Sequence, residues 1–320
     1  MLMIQFSIII PVYNRPQEID ELLNSLTLQS FKKDFEIIII EDGSTDKCID
    51  IVKKFETQLN LKYFYKENSG AGASRNFGME RATGNYFIIL DSDVLLPIHY
   101  LDDVYKSLTY NFTDAFGGPD AAHESFTTIQ KAINYSMTSL LTTGGIRGKK
   151  NAIGKFQPRS FNMGISKIAF EATKGFSKMK YGEDIDLSIR ILSLGFNTQL
   201  IEKAFVYHKR RSNFYQFLKQ TYNFGTARPI LNIKYPLTAK ITYWFPTLFM
   251  VGLVIALFGL ILGYWQIMFM YKLYFIILFI DASIQNKSVK VGFMSIFTTL
   301  TQFTGYGFGF LKSYFINQKL

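Results

Sequence analysis

The sequence contains a single cysteine, Cys48, among its 320 residues. One cysteine excludes an internal disulfide and a cysteine-based zinc site, and this composition suits a reducing compartment. The amino terminus also lacks the basic segment and the long apolar segment of a secretory signal, so we expect the region after it to stay in the cytosol. Because 48% of the residues are hydrophobic, the chain is not disordered and can bury one large core or two smaller ones.

Acidic residues are fewer than basic ones, and 25 Asp and Glu against 35 Lys and Arg give a formal net charge of +10. A basic chain can bind nucleic acid, an anionic membrane surface or an anionic substrate, and charge alone does not choose among them. No motif in the sequence combines aromatic and basic residues as nucleic-acid recognition modules do. We therefore expect no nucleic-acid partner.

Uncharged apolar stretches of membrane-spanning length are rare and lie near the carboxyl end. Residues 245–265 carry no charge and are long enough to cross a hydrocarbon core of about 30 Å, which predicts a transmembrane helix. Residues 267–282 contain Lys272 and are predicted to return the chain as the second arm of a hairpin, with the lysine reaching the interface. Residues 293–315 are predicted either as a third span or as an interfacial helix. The predicted domains are a cytosolic domain over residues 1–228 and a membrane-anchoring region over residues 229–320.

The first third of the chain alternates short apolar runs with amphipathic segments. Apolar runs at residues 7–12, 35–40, 61–65 and 86–90 predict four strands, with helices between them. Strands that alternate with helices favour a mostly parallel sheet covered on both faces. Loops that carry function then gather at the carboxyl ends of the strands. The sequence therefore predicts an α/β fold.

Two carboxylates follow the fourth predicted strand directly, in Asp91-Ser92-Asp93. They place hard oxygen ligands at the carboxyl end of a strand, where open α/β sheets form binding crevices. Magnesium and manganese prefer carboxylate and phosphate oxygens. The pattern favours a site for a divalent cation and a diphosphate, and an Asp-rich turn without a ligand is the alternative.

Six short motifs occur in order along residues 6–210. The motifs are Ile8–Asn14, Glu41–Asp46, Asn68–Gly78, Asp91–Asp93, Phe161–Gly164 and Tyr181–Arg190. Each motif alone is a weak signal, but six in this order at compatible spacings resemble the inverting glycosyltransferases of family two. The resemblance implies a GT-A type fold, in which a mostly parallel nucleotide-binding sheet flanked by helices precedes the carboxy-terminal transmembrane or interfacial helices.

The resemblance also implies a donor site for a nucleoside diphosphate sugar, with uridine diphosphate as the expected carrier and guanosine diphosphate as the alternative. Asp42 is expected to accept a hydrogen bond from the base edge, a role that suits a buried acceptor. Gly70 lets the backbone pass close to a ligand, and Arg75 supplies a charge suited to a diphosphate. The complete set of residues expected to bind the nucleotide sugar is Pro11, Tyr13, Asp42, Gly70, Arg75, Asp91 and Ser92.

A divalent metal, Mn²⁺ or Mg²⁺, is implied at Asp93, Asp91 and His208. Neutral imidazole can bind manganese, although a lone histidine beside basic residues is more often a surface group. Asp184 is implied as the general base, with Glu183 in support, because a sugar hydroxyl does not attack unless a carboxylate takes its proton. The alternative is that both carboxylates serve only to stabilise the start of a helix.

Taken together, these features predict a membrane-anchored inverting glycosyltransferase of polysaccharide or cell-envelope biosynthesis. We expect a multi-pass protein of the inner (plasma) membrane with a cytoplasmic catalytic domain. Its expected partners are the donor, a lipid-linked or membrane-proximal glycan acceptor, and membrane lipids. One alternative is a processive polysaccharide synthase, whose Gln-x-x-Arg-Trp string is only loosely matched by residues 220–228. The other is a catalytically silent scaffold that binds a nucleotide sugar.

Overall fold

The computed structural model describes residues 4–144 and 156–317, and residues 145–155 of a Gly- and Lys-rich segment lie outside this range. Within the described residues the strands are β1 (Phe6–Val12), β2 (Phe35–Asp42), β3 (Leu61–Lys66), β4 (Tyr86–Leu90), β5 (Val94–Leu95), β6 (Ala115–Gly117), β7 (Asp120–Ala121), β8 (Asn162–Ser166), β9 (Thr198–Leu200) and β10 (Val206–His208). The helices are α1 (Pro16–Thr27), α2 (Ile49–Phe55), α3 (Ala71–Glu80), α4 (Tyr100–Tyr110), α5 (Thr128–Thr138), α6 (Leu140–Thr143), α7 (Lys167–Thr173), α8 (Glu183–Ser193), α9 (Phe214–Lys234), α10 (Phe245–Ile261), α11 (Gln266–Gln285) and α12 (Val289–Asn317).

The chain forms two compact units. Unit 1 consists of Met1–His123 and Arg147–His208, and unit 2 consists of Glu124–Ile146 and Lys209–Leu320. The chain thus leaves unit 1 after β7, forms α5 and α6 in unit 2, and returns to complete unit 1. The predicted domain boundary at residue 228 stays a prediction.

Unit 1 contains a seven-stranded sheet with the strand order β3-β2-β1-β4-β8-β6-β9. Neighbours among β1 to β4 are parallel, as are β6 and β9, whereas β8 runs antiparallel to both of its neighbours. The predicted α/β class with a mostly parallel sheet is therefore confirmed.

The core of unit 1 follows from the alternation of side chains along its central strands. Every residue of β1 and β4 is buried, as expected of strands covered on both faces. Ile8 and Ile10 point to one face and pack in the cluster that includes Leu22 of α1. Ile9 points to the other face and packs in the cluster that includes Met79 of α3. The helices thereby hold the sheet from both sides and leave its carboxyl edge for the site.

A second, three-stranded sheet in unit 1 has the order β5-β10-β7. In the antiparallel pair of β10 and β5, His208 lies opposite Val94. In the parallel pair of β10 and β7, Val206 lies opposite Asp120. The small sheet therefore brings His208 beside the loop that follows β4.

Unit 2 is helical, and α5 packs among its helices. Ile133 and Met137 of α5 share a cluster with Phe217 of α9. The hydroxyl of Tyr135 donates to Oδ2 of Asp281 in α11 at 2.6 Å. On α12, which was predicted as a span or an interfacial helix, the buried residues include Ser295, Thr298, Phe303 and Phe310.

Two segments of unit 2 are long and apolar enough to cross a membrane, Ile241–Ile261 and Gln266–Gln285. Only 11% of the most apolar stretch of each segment is buried. The core helix of a soluble protein would be mostly buried instead. The segments agree with the two predicted spans in position and length, and among the described residues α12 does not meet the same criterion.

Glu36, at the start of β2, is a buried carboxylate that accepts hydrogen bonds from Ser7 Oγ and Lys62 Nζ, both at 2.6 Å, and from the backbone N–H of Thr83 at 2.5 Å. Burial raises the pKa of Glu36, but these hydrogen bonds lower it by more than burial raises it. The net effect is a decrease of the pKa from 4.5 to about 2. The contribution of ionised Glu36 to stability is therefore present above pH 4.5 and is lost as the pH falls through about 2.

We expect Glu36→Gln to lower the free energy of unfolding at pH 7 by about 2–3 kcal/mol, since each pKa unit corresponds to about 1.4 kcal/mol. The difference from wild type should shrink as the pH falls from 5 to 2.5. Denaturant titrations in mild detergent at several pH values measure this, with Glu56→Gln at an exposed position as the control. A pH-independent difference would contradict the account.

Candidate functional site

The carboxyl edge of the main sheet carries a cluster of two aspartates and one histidine. Asp91 and Asp93 follow β4 directly, and His208 is the last residue of β10. One potential ligand atom from each lies within 4.8 Å of the other two. The pairing of His208 with Val94 explains the approach, because Val94 is the next residue after Asp93. The structure thus brings together the three residues that the resemblance implied as metal ligands.

The cluster has the ligand chemistry of a divalent cation site. Two carboxylates and one imidazole form a donor set that suits manganese well and magnesium less well, because magnesium prefers oxygen ligands. Nε2 of His208 lies 3.2 Å from Oδ1 of Asp93, and the ring of Phe161 stacks on the imidazole with centroids 5.0 Å apart. Arg15 Nη1 donates to Oδ2 of Asp93 at 3.2 Å. The residues present therefore fit the implied metal.

Arg75 is buried beside this cluster and joins two of the predicted site residues. Its side chain is 4% exposed, Nη2 donates to Oδ1 of Asp91 at 2.7 Å, and Nη1 donates to Oε1 of Glu183 at 3.0 Å. Burial lowers the pKa of Arg75, but the charges of Asp91 and Glu183 outweigh burial and raise it. Arg75 thus stays charged and bridges two carboxylates, whereas its predicted contact with a diphosphate stays a prediction.

Glu183 and Asp184 form the first turn of α8, which begins after Gly182 in the left-handed conformation. Burial raises the pKa of Glu183, with a smaller contribution from the charge of Asp184, while Arg75 opposes both. Oδ1 of Asp184 accepts from the backbone N–H of Ile185 at 2.8 Å. Oδ2 of Asp184 lies 3.7 Å from Nη1 of Arg159, which is beyond hydrogen-bond distance. Asp184 therefore contributes to the helix start and still presents an oxygen that can accept a proton.

Asp42, the predicted partner of the nucleotide base, is 3% exposed and makes several hydrogen bonds inside the protein. It accepts from Lys66 Nζ and from the backbone N–H groups of Ser69 and Gly70, both at 2.9 Å. Burial raises the pKa of Asp42, but Lys66 and the other hydrogen-bond donors lower it by more, so the net effect is a lower pKa. Asp42 thus fixes the turn that leads into α3, and its contact with a base stays a prediction.

The other predicted donor-site residues occupy different environments. Tyr13 is 53% exposed just beyond β1, where a planar ligand can reach it, whereas Pro11 and Ser92 are buried. Gly70 precedes α3 with φ of +91°, a conformation that favours glycine. Their roles toward a nucleotide stay predictions.

Sequence reasoning missed four charged residues around the site: Arg15, Lys66, Asp120 and Arg159. Lys66 is the last residue of β3 and lies directly opposite Asp42 in the parallel pairing of β2 and β3. The register of these two strands could therefore have predicted that Lys66 lies beside Asp42. Asp120 is the first residue of the two-residue strand β7, and its Oδ2 lies 3.8 Å from Nδ1 of His208. Neither Asp120 nor Arg159 lies in a local pattern that signals its place in the fold.

Comparison with known protein families matches residues 7–173, just over half of the chain, to the family described as Glycosyl transferase family 2. TarS of Staphylococcus aureus, a poly(ribitol-phosphate) beta-N-acetylglucosaminyltransferase, is 37% identical over 115 residues, which are 35% of this chain and 20% of TarS. Glycosyltransferase GlyA of Streptococcus pneumoniae is 34% identical over 123 residues, 38% of this chain and 18% of GlyA. The chain therefore matches no more than about a fifth of these relatives' lengths.

Solved structures with a similar fold include the mannosyltransferase PcManGT from Pyrobaculum calidifontis in complex with GDP-Man and Mn²⁺. The TM-score is 0.62 at 17% identity, covering 94% of this chain and 88% of that one. Residues 1–349 of S. aureus TarS give a TM-score of 0.52 at 23% identity, covering 74% of this chain and 66% of that one. At these identities the likeness concerns the fold, and the predicted GT-A type is confirmed.

Removal of the Arg75 bridge provides a direct test of its role. We expect Arg75→Met to lower the free energy of unfolding by about 3 kcal/mol, because Glu183, which is 16% exposed, and Asp91 lose the buried cation that they share. Arg75→Lys should restore only part of this loss, since one ammonium group cannot bridge both acids as the planar guanidinium does.

Urea titration in mild detergent measures both variants, and Arg81→Met at the end of the same helix is the control because its side chain is 40% exposed. An effect of Arg75→Met no larger than that of the control would show that the bridge does not hold the site together.

Proposed function

Because the chain belongs to glycosyl transferase family 2, we propose that this transferase is a membrane-anchored, inverting, metal-dependent enzyme. In this proposal it moves one sugar from a nucleoside diphosphate donor to a lipid-linked or membrane-proximal glycan acceptor. The observation that carries the proposal is the Asp91, Asp93 and His208 cluster, with Glu183 bridged to it through Arg75.

The donor is proposed to bind at this cluster through its diphosphate. Asp91, Asp93 and His208 would hold the divalent cation, which when bound neutralises charge on the departing nucleoside diphosphate. A structure of TarS in complex with UDP-GlcNAc and the PcManGT complex with GDP-Man and Mn²⁺ are consistent with such a donor. We favour a uridine diphosphate sugar, with guanosine diphosphate as the alternative carrier.

Asp184 is proposed as the general base. The acceptor hydroxyl oxygen attacks the anomeric carbon from the face opposite the diphosphate, and the bond from that carbon to the diphosphate oxygen breaks to release the nucleoside diphosphate. Asp184 takes the hydroxyl proton, and the configuration at the anomeric carbon inverts. Glu183 is less suited to this role, because its Oε1 already accepts a hydrogen bond from Arg75 at 3.0 Å. Glu183 instead keeps Arg75 in place between the proposed base and the metal ligands.

Membrane anchoring is proposed from the exposed apolar surface of α10 and α11. Leu248, Phe258 and Ile261 are 60%, 65% and 80% exposed. Large apolar side chains exposed along two such helices are unfavourable in water and are accommodated by hydrocarbon. Lys287 and Lys290 follow α11, so a hairpin of two spans returns them to the cytoplasmic side, in agreement with the positive-inside rule. We therefore propose an inner (plasma) membrane protein with a cytoplasmic catalytic unit.

The basic segment before α9 supports the same location. Arg210 is 5% exposed and donates to Oδ1 of Asn134 at 3.3 Å, which gives it a structural role within unit 2. Lys209 and Arg211 are more exposed, and both can contact anionic lipid headgroups.

The experiment that tests the function is a turnover screen with the full-length chain in lipid nanodiscs. Uridine and guanosine diphosphate sugars are supplied with Mn²⁺, with Mg²⁺ or with excess chelator, and release of the nucleoside diphosphate is measured. We expect metal-dependent turnover with at least one donor, which Asp93→Asn should abolish and the exposed control Asp50→Asn should preserve.

The same assay with a lipid-linked acceptor separates the proposed base from a structural carboxylate. Asp184→Asn should lower the rate of transfer by about 10²- to 10⁴-fold while the affinity for the donor is kept. Loss of donor affinity would instead give Asp184 a structural role. Donor binding without turnover in the wild type would favour a silent scaffold, and repeated addition of sugars would favour a processive synthase.

A further inference from the structure

Asp120 is a buried carboxylate that none of the six motifs includes. It lies in β7, and its side chain is 1% exposed. The parallel pairing of β7 with β10 sets Asp120 opposite Val206, two residues before His208. Oδ2 of Asp120 lies 3.8 Å from Nδ1 of His208. A carboxylate this deeply buried is costly unless it is paired, so its position beside the imidazole has an energetic basis.

The imidazole of His208 lies between two carboxylates. Nδ1 faces Asp120, and Nε2 faces Asp93 at 3.2 Å. The ring of Phe161 stacks on the imidazole at an interplanar angle of 24° and limits its rotation. The two nitrogens of His208 therefore have different partners, and the nitrogen on the side of Asp93 is the one directed to the proposed metal site.

We propose that Asp120 is a positioning residue for His208. It accepts the Nδ1–H of the neutral imidazole and thereby leaves the lone pair of Nε2 for the divalent cation. This inference rests on the proposed function, because it requires His208 to be a metal ligand. Oδ2 of Asp120 and Nδ1 of His208 are 3.8 Å apart, which is beyond hydrogen-bond distance, so the proposed hydrogen bond forms when the two atoms move closer together by up to about 1 Å.

The physical reason is that a neutral imidazole can carry its proton on either nitrogen. A proton on Nε2 would point toward the cation and prevent binding. Only the tautomer with its proton on Nδ1 can therefore bind the cation through Nε2. A carboxylate that accepts from the other nitrogen selects the productive tautomer, fixes the ring and makes the ligand more basic. In this chain the second carboxylate comes from a strand of the same small sheet, so backbone pairing fixes its distance from the histidine.

The test measures binding of Mn²⁺ to the full-length chain in detergent by electron paramagnetic resonance, with and without uridine diphosphate. The variants are Asp120→Asn, His208→Ala and the double variant. Asp114→Asn is the matched control, because this aspartate accepts from the backbone N–H of Asn197 at 3.0 Å and is not part of the metal-ligand cluster.

We expect Asp120→Asn to weaken Mn²⁺ binding by about 10- to 100-fold, in line with the loss of other carboxylates that orient metal-bound histidines. Asp114→Asn should leave the affinity unchanged. In the His208→Ala background, Asp120→Asn should cause no further loss, since Asp120 acts through the histidine. A structural role for Asp120 alone would not produce this dependence.

The outcomes distinguish this inference from the proposed function. If His208→Ala does not weaken Mn²⁺ binding, the histidine is not a ligand, and both proposals fail at this residue. If His208→Ala weakens binding and Asp120→Asn does not, only the inference about Asp120 is overturned. An equal effect of Asp120→Asn with and without His208 also overturns it.

A measurement on the wild type covers the case in which Asp120→Asn does not fold. The chain has three histidines, so ¹⁵N-histidine spectra are simple, and His208 is assigned by the signal that disappears in His208→Ala. With saturating Mg²⁺ we expect the proton of His208 on Nδ1. A proton on Nε2 would overturn the inference.

Discussion

The site depends on one constraint, the repulsion among carboxylates that come together from distant parts of the chain. Asp91 follows β4, and Glu183 and Asp184 begin α8, so the folding of the sheet with its covering helices forces them together. Arg75 on α3 offsets the repulsion by donating to Asp91 and Glu183 at the same time. Because the guanidinium is buried, the interaction is little screened by solvent. One buried cation therefore holds Asp91, a proposed metal ligand, close to Glu183, the neighbour of the proposed base Asp184.

A second constraint is the orientation of the residues that are proposed to face the donor. Asp42 accepts from Lys66 and from two backbone N–H groups, which fixes the turn before α3. The same helix carries Arg75, so the turn and the bridge belong to one rigid element. His208 is held from the other direction by the small sheet and by the ring of Phe161. The polar groups of the site are thus oriented by strand pairing and helix starts rather than by long loops.

The sequence predicted the parts of the fold that repeat a strong local pattern. The isoleucine-rich strands β1, β2 and β4 are fully or almost fully buried, and their ends could be placed within two residues. The Asp91-Ser92-Asp93 cluster could be predicted because it interrupts such a run. By contrast, β5 and β7 have two residues each, and no local pattern identifies a strand of that length.

The features that the sequence did not predict depend on interactions between distant segments of the chain. The bridge from Arg75 to Glu183 joins residues 108 positions apart, and a lone arginine in a helix does not reveal such a partner. The membership of α5 in unit 2 depends on its packing against helices near the carboxyl end, which its amphipathic pattern does not specify. Only the expectation that a buried face needs a partner could be taken from the sequence.

The most direct test of the central claim is anomalous diffraction from crystals of the full-length chain soaked with Mn²⁺ and uridine diphosphate. The account predicts one strong anomalous peak within about 2.5 Å of a carboxylate oxygen of Asp91 or Asp93 and of Nε2 of His208. The diphosphate should complete the coordination of the ion. A peak at Glu183 and Asp184 instead, or bound nucleotide with no metal at the Asp91, Asp93 and His208 cluster, would contradict the account.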